Sequence, residues 1–438
     1  MEMRRMIYII NKVKGTTPKG GTVSLLMLLS FLLIFISCSS GSDSMTEVPP
    51  HPTDGPSVLN IYVYAPGQAV PTRGNTGQVD ADPTEEDAIH TLQIWVYTHD
   101  DNPELVTYFK TNAFQQDPQK TGDTYKFELP IDETYASTAE GERKKVDVYV
   151  LANVTTNNCG LNFDEHTTKA DLEAAVLKGN YFGVTTPATA VPFEGLPMSG
   201  ALREQTVSGS KPVLTLGTSS TEMAKVKLAR AVSKARFIFS CSTDFDGLKI
   251  TQVTFDANMI PDQEYLFLNQ DYTYEGNLTH LKGDAYNNAI TSSLLSVDEM
   301  TICADPAHYA WDRLRNDQPT CTAQDYEDLI ADGLTVHEGE STPRLTERRL
   351  YLRESDKQLS GTIYYKVKEK GAAAYGEEQS ITFKMVGPED PTQWQPYFSR
   401  NHTWIIYAYL AWAKMRIVDV HFKDWVTTEP SEHPLYNW

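Results

Sequence analysis

The chain has 438 residues, with 38 basic against 58 acidic side chains, a formal net charge of −20, 40% hydrophobic residues and 11% aromatic ones. That length accommodates two or three domains with cores of their own, and the aromatic content, beside only 22% charged residues, excludes a chain disordered throughout. Without the first 38 residues the balance is 33 basic to 57 acidic, a net charge of −24, which repels phosphate backbones and excludes a nucleic-acid partner.

At the N-terminus Arg4, Arg5, Lys12, Lys14 and Lys19 precede a weakly polar-to-apolar run of fourteen residues, 23–36, followed by Ser37-Cys38-Ser39-Ser40. A membrane-spanning helix needs about 20 apolar residues, so the run is too short to span and fits the core of a signal peptide. The small residues around the cysteine and the polar Gly41-Ser42-Asp43-Ser44 behind it resemble a bacterial lipoprotein signal, in which Cys38 becomes the lipid-modified first residue. The alternative is an ordinary cleaved signal with an incidental cysteine. Of the other four cysteines, Cys303 and Cys321 share a turn-rich segment and are the better candidates for a disulfide; Cys241 follows the apolar run 237–239 and is expected in a core. No CxxC spacing supports a zinc or redox site.

In chain order, 39–57 is rich in Ser, Gly, Pro and Asp and reads as a flexible spacer. Residues 58–64 alternate as a strand, with Leu59, Ile61 and Val63 on one face and Asn60, Tyr62 and Tyr64 on the other. The polar stretch 66–86, containing Pro71-Thr72-Arg73-Gly74-Asn75, has no periodicity; loops of about 20 residues in a compact domain are usually functional or disordered. Strands follow at 92–97, 105–109, 125–129 and 146–151, then a helix at 169–177 capped by Thr167 or Thr168 with Glu173 in its first turns. The pattern is a β-sandwich with a helical excursion rather than alternating βαβ units. A short strand at 213–216 precedes the run 226–239, and the region 218–223 reads as a boundary between two domains. A second set of strands falls at 250–255, 349–352, 362–367, 381–386, 403–410 and 417–422, with 269–343 as a turn-rich insertion.

No motif carries catalysis: there is no GxSxG, no glycine-rich phosphate loop and no HExxH. No catalytic residue, metal ligand or cofactor is expected. Asp244-Phe245-Asp246-Gly247 echoes the start of a calcium loop without its later ligands and reads as a turn. His402 and His421 adjoin or occupy strands and read as structural. Asn153, Asn277 and Asn401 head Asn-x-Thr triplets; at Asn153 and Asn401, beside strands, a turn role is the sounder reading.

Several segments align in order with one family: the lipoprotein signal, the first strand, the Arg73 loop, 146–153 (VDVYVLAN), 196–200 (LPMSG), 228–234 (LARAVSK), 399–402 (SRNH) and the C-terminal 435–438 (LYNW). Together they resemble the fimbrillins, the subunits of type V pili. The resemblance implies a mostly β fold of two β-sandwich domains with transthyretin-like Greek-key topology, a few short helices, no enzymatic activity and no cofactor. It implies this division: a signal peptide at 1–38, a spacer at 39–57, the first strand and cleavable loop at 58–73, and sandwich domains at 74–220 and 221–438. Such subunits travel as lipoproteins to the outer membrane and cell surface. There an arginine-specific protease would cut between Arg73 and Gly74, the strand 58–64 would be lost, and a C-terminal strand of another subunit would fill the groove. The donated segment would lie within 417–438.

The residues support part of this alone. An open sheet edge templates an incoming strand, and Val418, Val420 and Phe422 share one face of the last strand. The alternative for that strand is a place in its own domain. Partners implied are other pilus subunits, the arginine-specific protease, the outer membrane through the lipid, and a host or bacterial surface ligand. The competing functions are an adhesive tip or anchor subunit and a surface glycan-binding lipoprotein, whose sugar site the seven tryptophans and 23 tyrosines could line. A hydrolase has no motif to support it.

Overall fold

The computed structural model describes residues 57–64, 88–112, 119–121, 124–136, 143–178, 195–217, 224–261, 263–267, 290–292, 296–300, 331–340, 343–355, 357, 359–384, 400, 402–411 and 414–424. Its elements are overwhelmingly strands. The first group is β1 (Val58–Tyr64), β2 (Leu92–Thr98), β3 (Leu105–Thr111), β4 (Gln119–Thr121), β5 (Thr124–Pro130), β6 (Lys145–Ala152), β7 (Val176–Lys178), β8 (Met198–Ser210), β9 (Val213–Leu216), β10 (Lys225–Lys227) and β11 (Ala229–Arg230). The second is β12 (Ser233–Cys241), β13 (Phe245–Phe255), β14 (Gln263–Tyr265), β15 (Ile290–Ser292), β16 (Val297–Met300), β17 (Thr346–Leu352), β18 (Ser360–Glu369), β19 (Gln379–Lys384), β20 (His402–Ala411) and β21 (Lys414–Asp424).

Ten strands of the first group form one sheet: eight follow the path β3-β2-β6-β8-β9-β1-β5-β4, with β10 added on β1 and β11 on β8. The long strand β8 turns this path back on itself. Its first part pairs with β6 and its last four residues pair with β9. At the bend Glu204 has φ 58, the β6–β8 register shifts between Val146 and Val148, and the Glu204 amide donates to Asp147 Oδ1 at 2.7 Å. The bulge increases local twist, and the two ends of the path meet: Phe109 of β3 and Phe127 of β5 lie 5.3 Å apart between ring centroids. Alternation fills the enclosed space with Leu59, Ile61, Val63, Ile94, Val96, Leu129, Val148 and Val150, all fully buried.

β2 and β6 are buried on both faces, which alternation alone does not foretell. Their second face carries Trp95, Tyr97, Tyr149 and Leu151, packed against Phe163, Leu172, Leu177, Leu266, Phe267 and Tyr351. The helical excursion supplies part of this cover. Its helix runs over Lys169–Ala174, shorter than the expected 169–177, with Thr168 as the cap and Asp171 completing the capping box. Residues 176–178 leave the helix because they pair as β7 with β14, and a ladder with buried Leu177 outweighs a fraction of a kcal/mol of helix propensity.

The second group makes a β-sandwich. Sheet β17-β12-β20-β21 faces sheet β15-β13-β18-β19, with β16 also on β13. Between them lie Phe237, Phe239, Phe255, Ile363, Phe383, Ile406 and Leu410. Phe237, Phe255 and Phe383 pack edge to face at 5.4–6.2 Å, an arrangement that aromatic quadrupoles favour. Cys241 is a buried free thiol in this core, as its sequence context implies.

One expected segment lies outside the described residues and one departs from expectation. The region 218–223 lies outside the described residues, but β10 and β11 beyond it still pair into the first sheet, so that sheet extends to Arg230. The segment 269–343, expected as loop, contributes β15 and β16 to the β13 edge. Cys303, Cys321 and Asn277 lie outside the described residues.

Candidate functional site

β1 occupies an interior position in the first sheet although it comes first in the chain. On one side all seven residues pair antiparallel with β5, with Leu59 opposite Leu129, Ile61 opposite Phe127 and Val63 opposite Tyr125. On the other side the wall is split. Val58, Leu59 and Asn60 pair parallel with Val213, Leu214 and Thr215 of β9. Tyr62, Val63 and Tyr64 pair parallel with Lys225, Val226 and Lys227 of β10. Backbone bonds close both ends: Val58 N donates to Pro212 O at 2.8 Å, Ile131 N to Ser57 O at 3.0 Å, and Leu228 N to Tyr64 O at 2.9 Å.

The inward face of β1 carries Leu59, Ile61 and Val63 at 0% exposure. Each such side chain stabilises its burial by about 1.5–3 kcal/mol. On the reverse face Asn60 is buried, and its Oδ1 has no hydrogen-bond partner; nor has Ser57 Oγ, just before the strand. A buried polar group left unpaired costs about 1–3 kcal/mol. The strand is therefore strongly held by its apolar face and weakened by its polar one.

Of the residues singled out in the sequence, Cys38, Arg73 and Gly74 lie outside the described residues. Val418, Val420 and Phe422 belong to β21, which ends its sheet and pairs antiparallel with β20 of the same chain: Phe422 lies opposite Trp404 and Val420 opposite Ile406. Val418 falls where the register shifts between Tyr407 and Ala408. Asp244 and Asp246 act in turns: Ser242 Oγ donates to Asp244 Oδ2 at 3.1 Å and Gly371 N to Asp246 Oδ2 at 2.7 Å. His402 begins β20 and His421 lies in β21.

The motifs 153, 196–200, 228–234 and 400 lie at or beside the seam between the first sheet and the second group of strands. Asn153, fully buried with φ 57, accepts from His90 N at 2.8 Å and donates from Nδ2 to Ala88 O at 2.7 Å and Leu196 O at 3.0 Å. Ser199 Oγ donates to Leu266 O at 2.6 Å. Arg400 donates to Leu266 O, Tyr265 O and Glu354 Oε2 at 3.0, 2.7 and 3.0 Å. Glu354 N in turn donates to Glu264 Oε2 at 2.7 Å. Burial pushes the Glu264 carboxyl up to about 8; Arg400 opposes the rise and Glu354 adds to it. Sequence reading missed this knot, because Glu264, Glu354 and Arg400 are far apart in the chain and only the fold collects them.

Residues 58–232 match the family model of the major fimbrial subunit protein, FimA. The fimbrial subunit match begins at the first residue of β1 and ends between β11 and β12, so it takes in all ten strands of the first sheet. Among solved structures, the chain is similar to the tip fimbrial protein Mfa3 from Porphyromonas gingivalis with C-terminal truncation, at 12% identity and TM-score 0.43, covering 85% of this chain and 100% of that one. It is similar at 12% identity and TM-score 0.42 to a putative cell adhesion protein from Parabacteroides distasonis, covering 86% and 99%. A putative cell adhesion protein from Bacteroides eggerthii is similar at 12% identity and TM-score 0.40, covering 84% and 96%. No curated protein matches.

Proposed function

We propose that the chain is a structural subunit of a cell-surface fimbria that assembles with other subunits by strand exchange and supports adhesion. The observation that carries this reading is the place of β1: an interior strand of the fimbrial subunit sheet, with a fully buried apolar face, connected to β2 through 65–87, where Arg73 and Gly74 stand. In this reading Cys38 is the lipidated residue that carries the chain to the outer membrane, and an arginine-specific protease cuts after Arg73. While the loop is intact, tethering gives β1 a high effective concentration at its groove. Once cut, the strand returns only as a free peptide. The buried, unpaired amide oxygen of Asn60 further favours exchange for a better-matched strand.

The donor is the C-terminal segment, with Val418, Val420 and Phe422 on one face. As the edge strand of its sheet among the described residues, β21 leaves by breaking the one ladder it makes with β20. A head-to-tail contact of this kind generates an open filament. In this reading the two sandwich domains are 74–220 and 221–438, with Lys225–Arg230 serving the first sheet.

Arg73→Ala tests the reading. The variant should reach the surface in normal amounts and stay monomeric on denaturing gels run without boiling. Long polymers of Arg73→Ala would overturn cleavage at this position.

A further inference from the structure

Emptying the groove affects its two short walls differently. β9 has a second partner, since Val213–Leu216 also pairs with Ser210–Val207 of β8. β10 has no ladder partner among the described residues other than β1. It is seated by packing instead: Val226 is fully buried, and the strand crosses β8 at Gly200. A Cβ on Gly200 would collide with the carbonyl oxygen of Lys227 and lie 2.9 Å from Val226 Cγ1. Glycine is needed there for the close approach of two backbones.

Resting on the strand-exchange reading above, we infer that the groove engages an incoming strand at two separate stations and that β10 gauges its length. The partner it fits is an extended segment of at least seven residues from a second fimbrial subunit. It runs in the direction of β1, parallel to β9 and β10, and carries apolar side chains at its second, fourth and sixth positions, where Leu59, Ile61 and Val63 now lie. A segment ending at the Ile61 position satisfies β9 and the second half of β5, Phe127–Pro130, and leaves Lys225–Lys227 without its β1 ladder. One that reaches the Tyr64 position recovers the β10 pairing and the bond now made from Leu228 N to Tyr64 O at 2.9 Å. β10 leads through β11 and the fully buried Ala231 and Val232 into β12, so a complete strand is registered where the second sandwich begins.

Hydrogen exchange on the full chain tests this, because amide protection reports local opening. Shortening the resident strand in place with Tyr62→Gly, Val63→Ser and Tyr64→Gly should lower protection of Lys225–Lys227 at least tenfold. Leu214–Leu216 and Leu59–Ile61 should stay as in the unaltered chain. Gly200→Val, which unseats β10 without touching β1, should give the same local pattern. Equal loss at β9 and β10 in both variants would make the groove a single cooperative wall and overturn the gauge, as would no loss at β10. The measurement uses the uncut chain, so it stands apart from the Arg73→Ala assay. Polymers of Arg73→Ala would overturn cleavage at this position, leaving the exchange result to decide the gauge.

Discussion

Arg400 Nε lies 3.0 Å from Glu354 Oε2, with both side chains at or below 1% exposure. The pair sits at the seam between the first sheet and the second sandwich, and the guanidinium directs its other nitrogens to the carbonyls of Tyr265 and Leu266. Removing one partner of a buried pair strands the other charge, at a cost of about 3–5 kcal/mol. Arg400→Met should therefore lower the thermal midpoint substantially, measured by calorimetry, and an unchanged midpoint would contradict a closed seam.

Glu264 makes the same knot sensitive to base. Its folded pKa of about 8 lies above the ordinary 4.5, so the folded chain holds a proton that the unfolded chain releases. The contribution is present below about pH 4.5 and is lost as pH rises towards 8. Denaturant titrations should show stability declining across that window, and Glu264→Gln should flatten the decline. A variant with the same pH slope as the unaltered chain would refute the assignment.

Glu347 works in the opposite direction. Burial alone would raise its carboxyl, but Arg236 and Arg349 hold it well below the usual carboxylate range. Arg236 grips it from Nε at 2.8 Å and Nη2 at 2.9 Å, a two-pronged geometry with directional strength. Its stabilisation is present above the ordinary carboxylate pKa and disappears as pH falls through the folded value. Acid unfolding of Glu347→Gln should be shallower than that of the unaltered chain, from a lower starting stability at pH 7.

Asn60 offers a gain. Replacing its amide, whose buried oxygen is unpaired, with a strand-favouring apolar side chain removes a penalty of about 1–3 kcal/mol. Asn60→Val should raise the thermal midpoint and, in the strand-exchange reading proposed above, slow the release of β1 from chain cut at the loop, followed by mass spectrometry of the freed peptide. A lower midpoint would show that the Asn60 pocket rejects the valine.

At Asn153 the side chain accepts from the amides of His90 and Thr91 and donates to the carbonyls of Ala88 and Leu196 from a left-handed backbone that asparagine tolerates. Asn153→Ala should cost about 2–4 kcal/mol, since it leaves the Ala88 carbonyl and His90 amide short of partners. Amide exchange at 88–91 should rise with it, and unchanged exchange there would exclude the anchoring role. The same burial denies a glycan access to the Asn-x-Thr triplet at this position.

Much of the strand pattern is legible locally. Val58–Tyr64 and Val213–Leu216 fall where alternation places them, because period-two apolar spacing states which face of a strand meets a core. The buried Cys241 follows from its apolar context for the same reason. The helix end at Ala174 was not legible, since Val176–Lys178 leaves the helix for a partner 87 residues away in the chain, Leu177 opposite Glu264.

By itself the sequence determined the element type, the apolar face of β1 and the family resemblance of its short motifs, all of which are written in neighbouring residues. Only the tertiary structure decided that β1 lies between β5 and a wall split into β9 and β10, that β2 and β6 are covered on both faces, and that Glu264, Glu354 and Arg400 share one buried knot. Periodicity tells a strand which way to face and nothing about its neighbour. That choice rests on ladders and desolvated charge pairs formed between residues brought together from distant parts of the chain.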